Sequence, residues 1–125
     1  MSKRVMLIDD EEVFHWITKQ FIHKVSNEVD VTSCYNGQEG IETLKKEKVS
    51  PDLIMLDLNM PIANGWVFLD AYEKLEDVLR KHTNVYVVSS SIDPEDVNKA
   101  KSYPYVKDFI SKPVTLELLQ ELLVD

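Results

Sequence analysis

The stretch LIMLD, at residues 53–57, decides the fold of this 125-residue sequence. Its first four residues are all apolar, which is typical of a central strand in a parallel sheet whose two faces are both covered by helices. Asp57 then begins a loop that runs to Gly65. In open parallel α/β sheets, ligands bind beyond the carboxyl ends of the strands. Asp57 is therefore the first candidate for a functional residue.

Strand-like runs alternate with helical patterns on both sides of this stretch. Predicted strands occupy residues 4–8, 30–35, 53–56, 85–88 and 106–110. Predicted helices cover about residues 12–25, a segment opening at Asn36-Gly37 with Ile41 and Leu44 inward, about 66–80, a segment capped by Asp93, and a last one from the N-cap Thr115 to about Val124. This alternation predicts βαβ units around a parallel sheet. We expect one α/β domain over residues 1–125.

Several side chains are expected in the core. In the first helix the inward positions are predicted from a spacing of four, at Val13, Ile17, Phe21 and Val25. Trp16 and Trp66 are interpreted as core residues rather than partner anchors, because aromatic residues at helical spacing usually pack inside. Cys34 is the single cysteine and lies in a strand-like run, so we expect a reduced core thiol.

The composition excludes two classes of partner. The chain has 22 acidic and 14 basic residues, a net charge of −8, and no dense basic stripe that could neutralise a row of phosphates. We therefore expect no direct binding of nucleic acid. No apolar run is long enough to span a membrane, and the sequence leads from Met1 directly into the first strand without a signal-peptide layout. The expected location is the cytoplasm.

Polar residues end four of the predicted strands. They are Asp9 and Asp10, Asp57, the run from Ser89 to Ser91, and Lys112 shortly after the last strand. Each alone has an ordinary explanation as a turn residue, loop filler or solvated charge. If the first and third strands are neighbours, however, the carboxylates converge, and each pair repels by about 4 kcal/mol at an effective dielectric constant of about 20. Such a cluster requires a cation.

Few, hard oxygen ligands suit Mg²⁺ that keeps several waters, with Mn²⁺ as a possible substitute, and suit neither Zn²⁺ nor a closed Ca²⁺ cage. The histidines at positions 15, 23 and 82 have no metal-ligand spacing. A magnesium site at the carboxyl edge of the sheet is therefore the prediction from these residues.

Five motifs together resemble the receiver domain of two-component response regulators, over essentially the whole chain. They are LIDDE at 7–11, MLDLNMP at 55–61, NG at 64–65, VSS at 88–90 and FISKP at 109–113. In size and layout the chain is similar to stand-alone members such as the chemotaxis response regulator. The resemblance implies a flavodoxin-like, doubly wound sheet of five strands in the order 2-1-3-4-5, with five helices. This family is itself a standard example of that strand order, so the order is taken from the family and not worked out from the residues.

The resemblance also implies roles for the residues at the edge of the sheet. Asp57 would be the nucleophile that accepts a phosphoryl group, and Asp10, Asp57 and the backbone carbonyl of Asn59 would bind the metal. Asp9 would orient metal-bound water. Lys112 would offset the charge on the transferring group. The chain would thus assist its own phosphorylation and dephosphorylation without being a classical enzyme.

Switching is implied in the same way. The hydroxyl of Ser89 would bond a phosphoryl oxygen, and Phe109 would fill the space that Ser89 vacates, although a fixed core Phe is an equally good interpretation. The Lys112-Pro113 peptide would be cis. One departure from the family is the segment KSYPY at 101–105, which replaces the usual small, Gly-containing stop after the fourth helix.

The implied partners are a sensor histidine kinase or a histidine phosphotransfer protein, together with a downstream protein target that the sequence does not identify. The target would bind the face formed by the fourth helix, the fifth strand and the fifth helix. Three alternatives stay open: a receiver-like module that binds without phosphate, an aspartyl-phosphate hydrolase resembling haloacid dehalogenases, and the receiver portion of a larger regulator. Asn59 disfavours the hydrolase, which requires a second Asp at that position.

Overall fold

The computed structural model describes residues 3–48, 50–60, 62–75, 77–90 and 93–123. Its strands are β1 (Arg4–Ile8), β2 (Asp30–Cys34), β3 (Leu53–Leu56), β4 (Asn84–Ser89) and β5 (Val106–Ser111). They form one parallel sheet in the order β2-β1-β3-β4-β5. The doubly wound fold and its strand order are therefore confirmed, and β1 and β3 are neighbours.

The helices cover both faces of this sheet. They are α1 (Glu12–Val25), α2 (Gly37–Glu47), α3 (Gly65–Glu73), α4 (Pro94–Lys101) and α5 (Leu116–Leu123). Alternate residues of a strand point to opposite faces. Ile54 and Leu56 of β3 accordingly pack in a core shared with α2, α3 and α4, whereas Leu53 and Met55 pack in one shared with α1 and α5. β3 is therefore the central strand of the sheet and is buried on both faces.

The predicted caps are present at three helices. Asn36 accepts a hydrogen bond from the Glu39 amide at 2.9 Å, and Asp93 accepts one from Glu95 at 3.0 Å. The Thr115 hydroxyl accepts one from the Leu118 amide at 3.2 Å. These local bonds satisfy amides that have no partner inside the helix.

The third helix is shorter than predicted. It ends at Glu73, and residues 77–79 form a separate 3-10 turn. The guanidinium of Arg80 donates to the Leu75 carbonyl at 3.0 Å and to Asp77 at 2.8 Å, which fixes the tighter turn. Leu75 and Leu79 are both buried, so the apolar pattern continues after the helix has ended. This continuity made the sequence look helical as far as Arg80.

The predicted inward face of α1 is wrong at two positions. Val13 is 67% exposed and Ile17 is 40% exposed, while the buried residues of α1 are His15, Thr18 and Ile22. The packed stripe is rotated from the predicted one, and it includes two polar residues that a hydropathy pattern does not count. Phe21 and Val25 are half-buried against the core and agree with the prediction.

The two tryptophans differ from each other. Trp16 is 65% exposed, so its prediction as a core residue is wrong. Trp66 is half-buried and packs on the core, against the ring of Tyr103. Cys34 is buried and free as predicted, and burial raises the pKa of its thiol, as expected of an inert core cysteine. No helix in the described part of the chain is long and apolar enough to cross a membrane.

Candidate functional site

Three carboxylates meet at the carboxyl edge of the sheet. The strand ladder extends one residue past β1 and β3, because the Asp57 amide donates to the Ile8 carbonyl at 2.9 Å and the Asp9 amide to Cys34 at 3.0 Å. Carboxylate oxygens of Asp9, Asp10 and Asp57 all lie within 4.8 Å of one another. The structure therefore brings together the acidic residues that the sequence singled out.

The ammonium group of Lys112 faces the same cluster. Its Nζ atom lies 2.7 Å from Asp9 Oδ2, 3.2 Å from Glu11 Oε1 and 4.0 Å from Asp57 Oδ1. It also lies over the ring of Phe14, 4.6 Å from the centroid. Lys112 is therefore hydrogen-bonded to Asp9 and Glu11, and it stands near Asp57 without bonding to it. Glu11 and Phe14 are contacts that the sequence analysis did not assign.

Opposing effects act on the pKa of Lys112. Burial would lower it, but the hydrogen bond and negative charge of Asp9, followed by the charge of Asp57 and the bond to Glu11, outweigh burial and raise the pKa above its ordinary value. The amine is therefore a permanent cation at physiological pH. One ammonium group nevertheless faces three clustered carboxylates, so the site keeps an excess of negative charge.

Asp57 shows the consequence of this excess. Burial and then the charge of Asp9 raise the pKa of Asp57 to about 6, and Lys112 and the backbone amide of Asn59 offset only part of the shift. A divalent cation bound by these carboxylates would remove the remaining repulsion. All three donors are hard oxygens, two of them buried and one exposed, which fits Mg²⁺. That Asn59 supplies a carbonyl ligand stays a prediction.

Two loops are fitted closely beside the acidic cluster. The amide of Gly37 donates to the Ala63 carbonyl at 2.8 Å, and a Cβ atom at Gly37 would collide with that oxygen. Ala63 itself adopts a left-handed backbone with φ of 47°. The side chain of Asn64 then caps α3 by accepting from the Val67 amide at 3.1 Å. The loop after Asp57 is therefore anchored at its C-terminal end, where it joins α3.

The two residues assigned to switching lie on neighbouring strands. Ser89, the last residue of β4, is fully buried, and its carbonyl accepts from the Lys112 amide at 2.9 Å. Phe109, in β5, lies opposite Val87 of β4 and is half-buried against the core. Whether Phe109 moves stays a prediction. Ser91 lies outside the described residues.

The segment at 101–105 that departs from the family connects α4 to β5 and is hydrogen-bonded to α3. The hydroxyl of Tyr103 donates to Asp70 at 2.8 Å, and that of Tyr105 donates to the Leu69 carbonyl. The connection between α4 and β5 is therefore fastened to α3. Further along the chain, the Lys112-Pro113 peptide is cis, as the resemblance implied.

We expect Asp57→Asn to stabilise the metal-free protein at alkaline pH. The folded-state pKa of Asp57, about 6, lies above the unfolded value of about 3.9. The wild type thus loses stability between about pH 4 and pH 6, as the buried carboxyl ionises. The variant does not, so it should be more stable by about 3 kcal/mol at pH 8 and about equal at pH 4.

Urea unfolding in the presence of a chelator at both pH values measures this difference. Asp30→Asn removes an exposed carboxylate at the other end of the sheet and is the matched control for net charge. A stability gain that is the same at pH 4 and pH 8 would contradict the assigned pKa.

The profile of a family described as the response regulator receiver domain matches residues 5–124. The chain is 30% identical to the chemotaxis protein CheY of Thermotoga maritima over 114 residues, which cover 90% of this chain and 88% of that protein. It is 32% identical to the probable C4-dicarboxylate response regulator DctR of Bacillus subtilis over 120 residues, or 96% of this chain and 50% of the relative. The chain thus spans about half the length of the DctR relatives it matches.

A solved structure shares the fold. The crystal structure of a two-component response regulator from Cytophaga hutchinsonii superimposes with a TM-score of 0.86 at 30% sequence identity. The match covers 96% of this chain and 92% of that one. The strand order, the acidic cluster and the matched profile therefore all point to the same family.

Proposed function

The chain belongs to the response regulator receiver domain family, which serves phosphorelay signalling, and from this premise we propose that Asp57 accepts a phosphoryl group and thereby switches a binding surface. The observation that carries the proposal is the arrangement of three carboxylates within 4.8 Å of one another around a buried Asp57, with Lys112 held 4.0 Å from its oxygen. Such an arrangement can concentrate cationic charge on a phosphoryl group.

The proposed reaction is a single displacement at phosphorus. A carboxylate oxygen of Asp57 forms a P–O bond while the bond from phosphorus to the donor's histidine nitrogen, or to an acyl oxygen, breaks and leaves its electron pair on the donor. Lys112, hydrogen-bonded to Asp9 and Glu11, is placed to donate to a phosphoryl oxygen. When held at the cluster of Asp9, Asp10 and Asp57, a Mg²⁺ ion would supply positive charge that offsets the charge spread over the transferring group.

Phosphorylation would then act through new charge and new acceptors. A phosphoryl group adds close to two negative charges and three acceptor oxygens where a carboxylate stood. We propose that the hydroxyl of Ser89, at the adjacent strand end, turns toward these oxygens and that Phe109 moves inward. The surface of α4, β5 and α5 would change with it and bind the downstream target.

The phosphodonor is proposed to dock over the start of α1. This helix begins two residues after Asp10, and its first turns present exposed apolar side chains at Val13, Trp16 and Ile17. Exposed apolar groups beside a reactive carboxylate favour a protein donor, either a sensor histidine kinase or a histidine phosphotransfer protein. The proposed location is the cytoplasm.

Trp16→Ala should slow phosphorylation by protein phosphodonors and leave phosphorylation by small-molecule phosphodonors unchanged. A large aromatic side chain at the centre of an interface contributes about 2 kcal/mol or more, so phosphotransfer from a purified histidine phosphotransfer protein should slow by about 30-fold or more. Phosphorylation by acetyl phosphate should not change, because Trp16 is not part of the acidic cluster. Equal slowing with both donors would contradict this docking surface.

Intact mass after incubation with acetyl phosphate, with and without Mg²⁺, tests the proposed function. We expect one phosphoryl adduct that requires the metal. If a control receiver domain is labelled and this chain is not, the module that binds partners without phosphate becomes the better account. Steady turnover of phosphomonoesters would favour the hydrolase.

A further inference from the structure

His15 is a buried polar residue that the proposed phosphoryl transfer does not use. It lies in α1, one turn beyond the acidic residues, and is 2% exposed. Its ring packs against that of Tyr35 at a centroid distance of 4.5 Å and lies edge-on to Phe14 at 6.2 Å. Burying an imidazole in this way is costly unless its nitrogens are bonded.

The two ring nitrogens of His15 differ in their surroundings. The Nε2 atom lies 2.7 Å from the backbone carbonyl of Asp9. A carbonyl oxygen only accepts hydrogen bonds, so Nε2 carries the proton and donates it. The Nδ1 atom is buried without a hydrogen-bond partner among the residues that the structure describes. The hydrogen bond to the Asp9 carbonyl therefore decides the orientation of the ring.

That carbonyl belongs to the peptide that joins Asp9 to Asp10. The carboxylate of Asp9 is held independently, by the Glu11 amide at 2.8 Å and by Lys112 at 2.7 Å. The carboxylate of Asp10 is exposed and has no hydrogen bond within the described ranges. The direction of the Asp10 side chain therefore depends on the backbone between these two residues. His15 fixes that backbone through its hydrogen bond to the Asp9 carbonyl.

We propose that His15 is a positioning residue for the cation site, which keeps the Asp10 carboxylate within ligand distance of Asp57 by donating to the Asp9 carbonyl. The inference rests on the proposed function, since the site is the one proposed to bind Mg²⁺. It assigns His15 an effect on cation affinity and none on the chemistry at Asp57.

A pair of variants distinguishes the effect of the Nε2–H hydrogen-bond donor from the effect of the size of the ring. His15→Gln places an amide N–H at the same number of bonds from the backbone as Nε2, whereas His15→Met fills a similar length without a donor. Loss of a group that orients a metal ligand typically costs about 10- to 100-fold in metal affinity. We expect calorimetric titration with Mg²⁺ to show a loss of about tenfold for the Met variant and a substantial recovery for the Gln variant.

Two further readouts distinguish positioning from a general loss of stability. At saturating Mg²⁺ the Met variant should take up phosphoryl groups from acetyl phosphate at the wild-type rate, because Asp57 and Lys112 are unchanged. Thermal unfolding without metal reports any loss of stability in both variants. Met and wild-type chains with equal Mg²⁺ affinity, or Gln and Met chains with equal losses, would overturn the inference.

An experiment on the wild type does not depend on a variant that folds. In ¹H–¹⁵N spectra of the imidazole groups, the His15 Nε2–H resonance should be present and should shift on addition of Mg²⁺. The exposed His23 and His82 serve as internal controls. A His15 signal that Mg²⁺ leaves unchanged, in a chain that binds the ion, overturns the inference alone. A wild type that neither binds Mg²⁺ nor takes up a phosphoryl group overturns the proposed function.

Discussion

Asp57→Asn is expected to abolish phosphoryl uptake completely while leaving the fold intact. The substitution replaces the attacking carboxylate by an amide of nearly the same shape, which is a far weaker nucleophile toward phosphorus. Asp57 is 6% exposed at the end of β3, whereas Asp9 and Asp10 follow β1, so neither is expected to replace it as the acceptor. We therefore expect no adduct at any concentration of acetyl phosphate or Mg²⁺.

Intact mass and peptide mapping measure this result. Asp30→Asn, which removes an exposed carboxylate from the start of β2, should be labelled like the wild type. The far-ultraviolet circular dichroism of the Asp57 variant should match the wild type as well. An adduct on the Asp57 variant, or one that maps to another residue of the wild type, would contradict the assignment of the acceptor.

Lys112→Met is expected to have the second largest effect. The Lys112 side chain is 14% exposed and its Nζ atom lies 4.0 Å from Asp57 Oδ1, so its charge acts on the site with little screening by solvent. Loss of one preorganised electrostatic donor typically slows a reaction by about 10²- to 10³-fold. We expect phosphorylation by acetyl phosphate to slow by about 10²-fold at saturating Mg²⁺.

The pH dependence of this variant provides an independent readout. Lys112 lowers the pKa of Asp57, whose net value is about 6, so its removal should raise that pKa further. In the metal-free chain more of the Asp57 carboxyl is then protonated at a given pH, so the loss of stability on its ionisation should extend to higher pH in the variant than in the wild type. Lys107→Met, at an exposed position of β5 just before Lys112, is the matched control. A Lys112 variant that behaves like the Lys107 variant would contradict the proposed role.

Local sequence was sufficient for most of the elements. Every strand was predicted to within about a residue, and the caps at Asn36, Asp93 and Thr115 were identified, because a strand or a helix end depends on residues close to it in the chain. The end of α3 was not predicted, because buried Leu75 and Leu79 continue the apolar pattern through a turn. Periodicity reports which residues are buried and does not distinguish a helix from a turn that buries the same residues.

In the candidate site too, some features could be predicted from the sequence and others could not. The sequence by itself determined that acidic, hydroxyl and ammonium groups follow the strands, and the resemblance supplied the strand order that makes them neighbours. Only the tertiary structure decided which partners they have. Lys112 forms a hydrogen bond with Glu11, 101 positions away in the chain. His15 donates to the Asp9 carbonyl from a face of α1 that was not predicted to be buried. Such contacts depend on how the strands are ordered and how each helix is rotated, and those are set by the packing of the whole core.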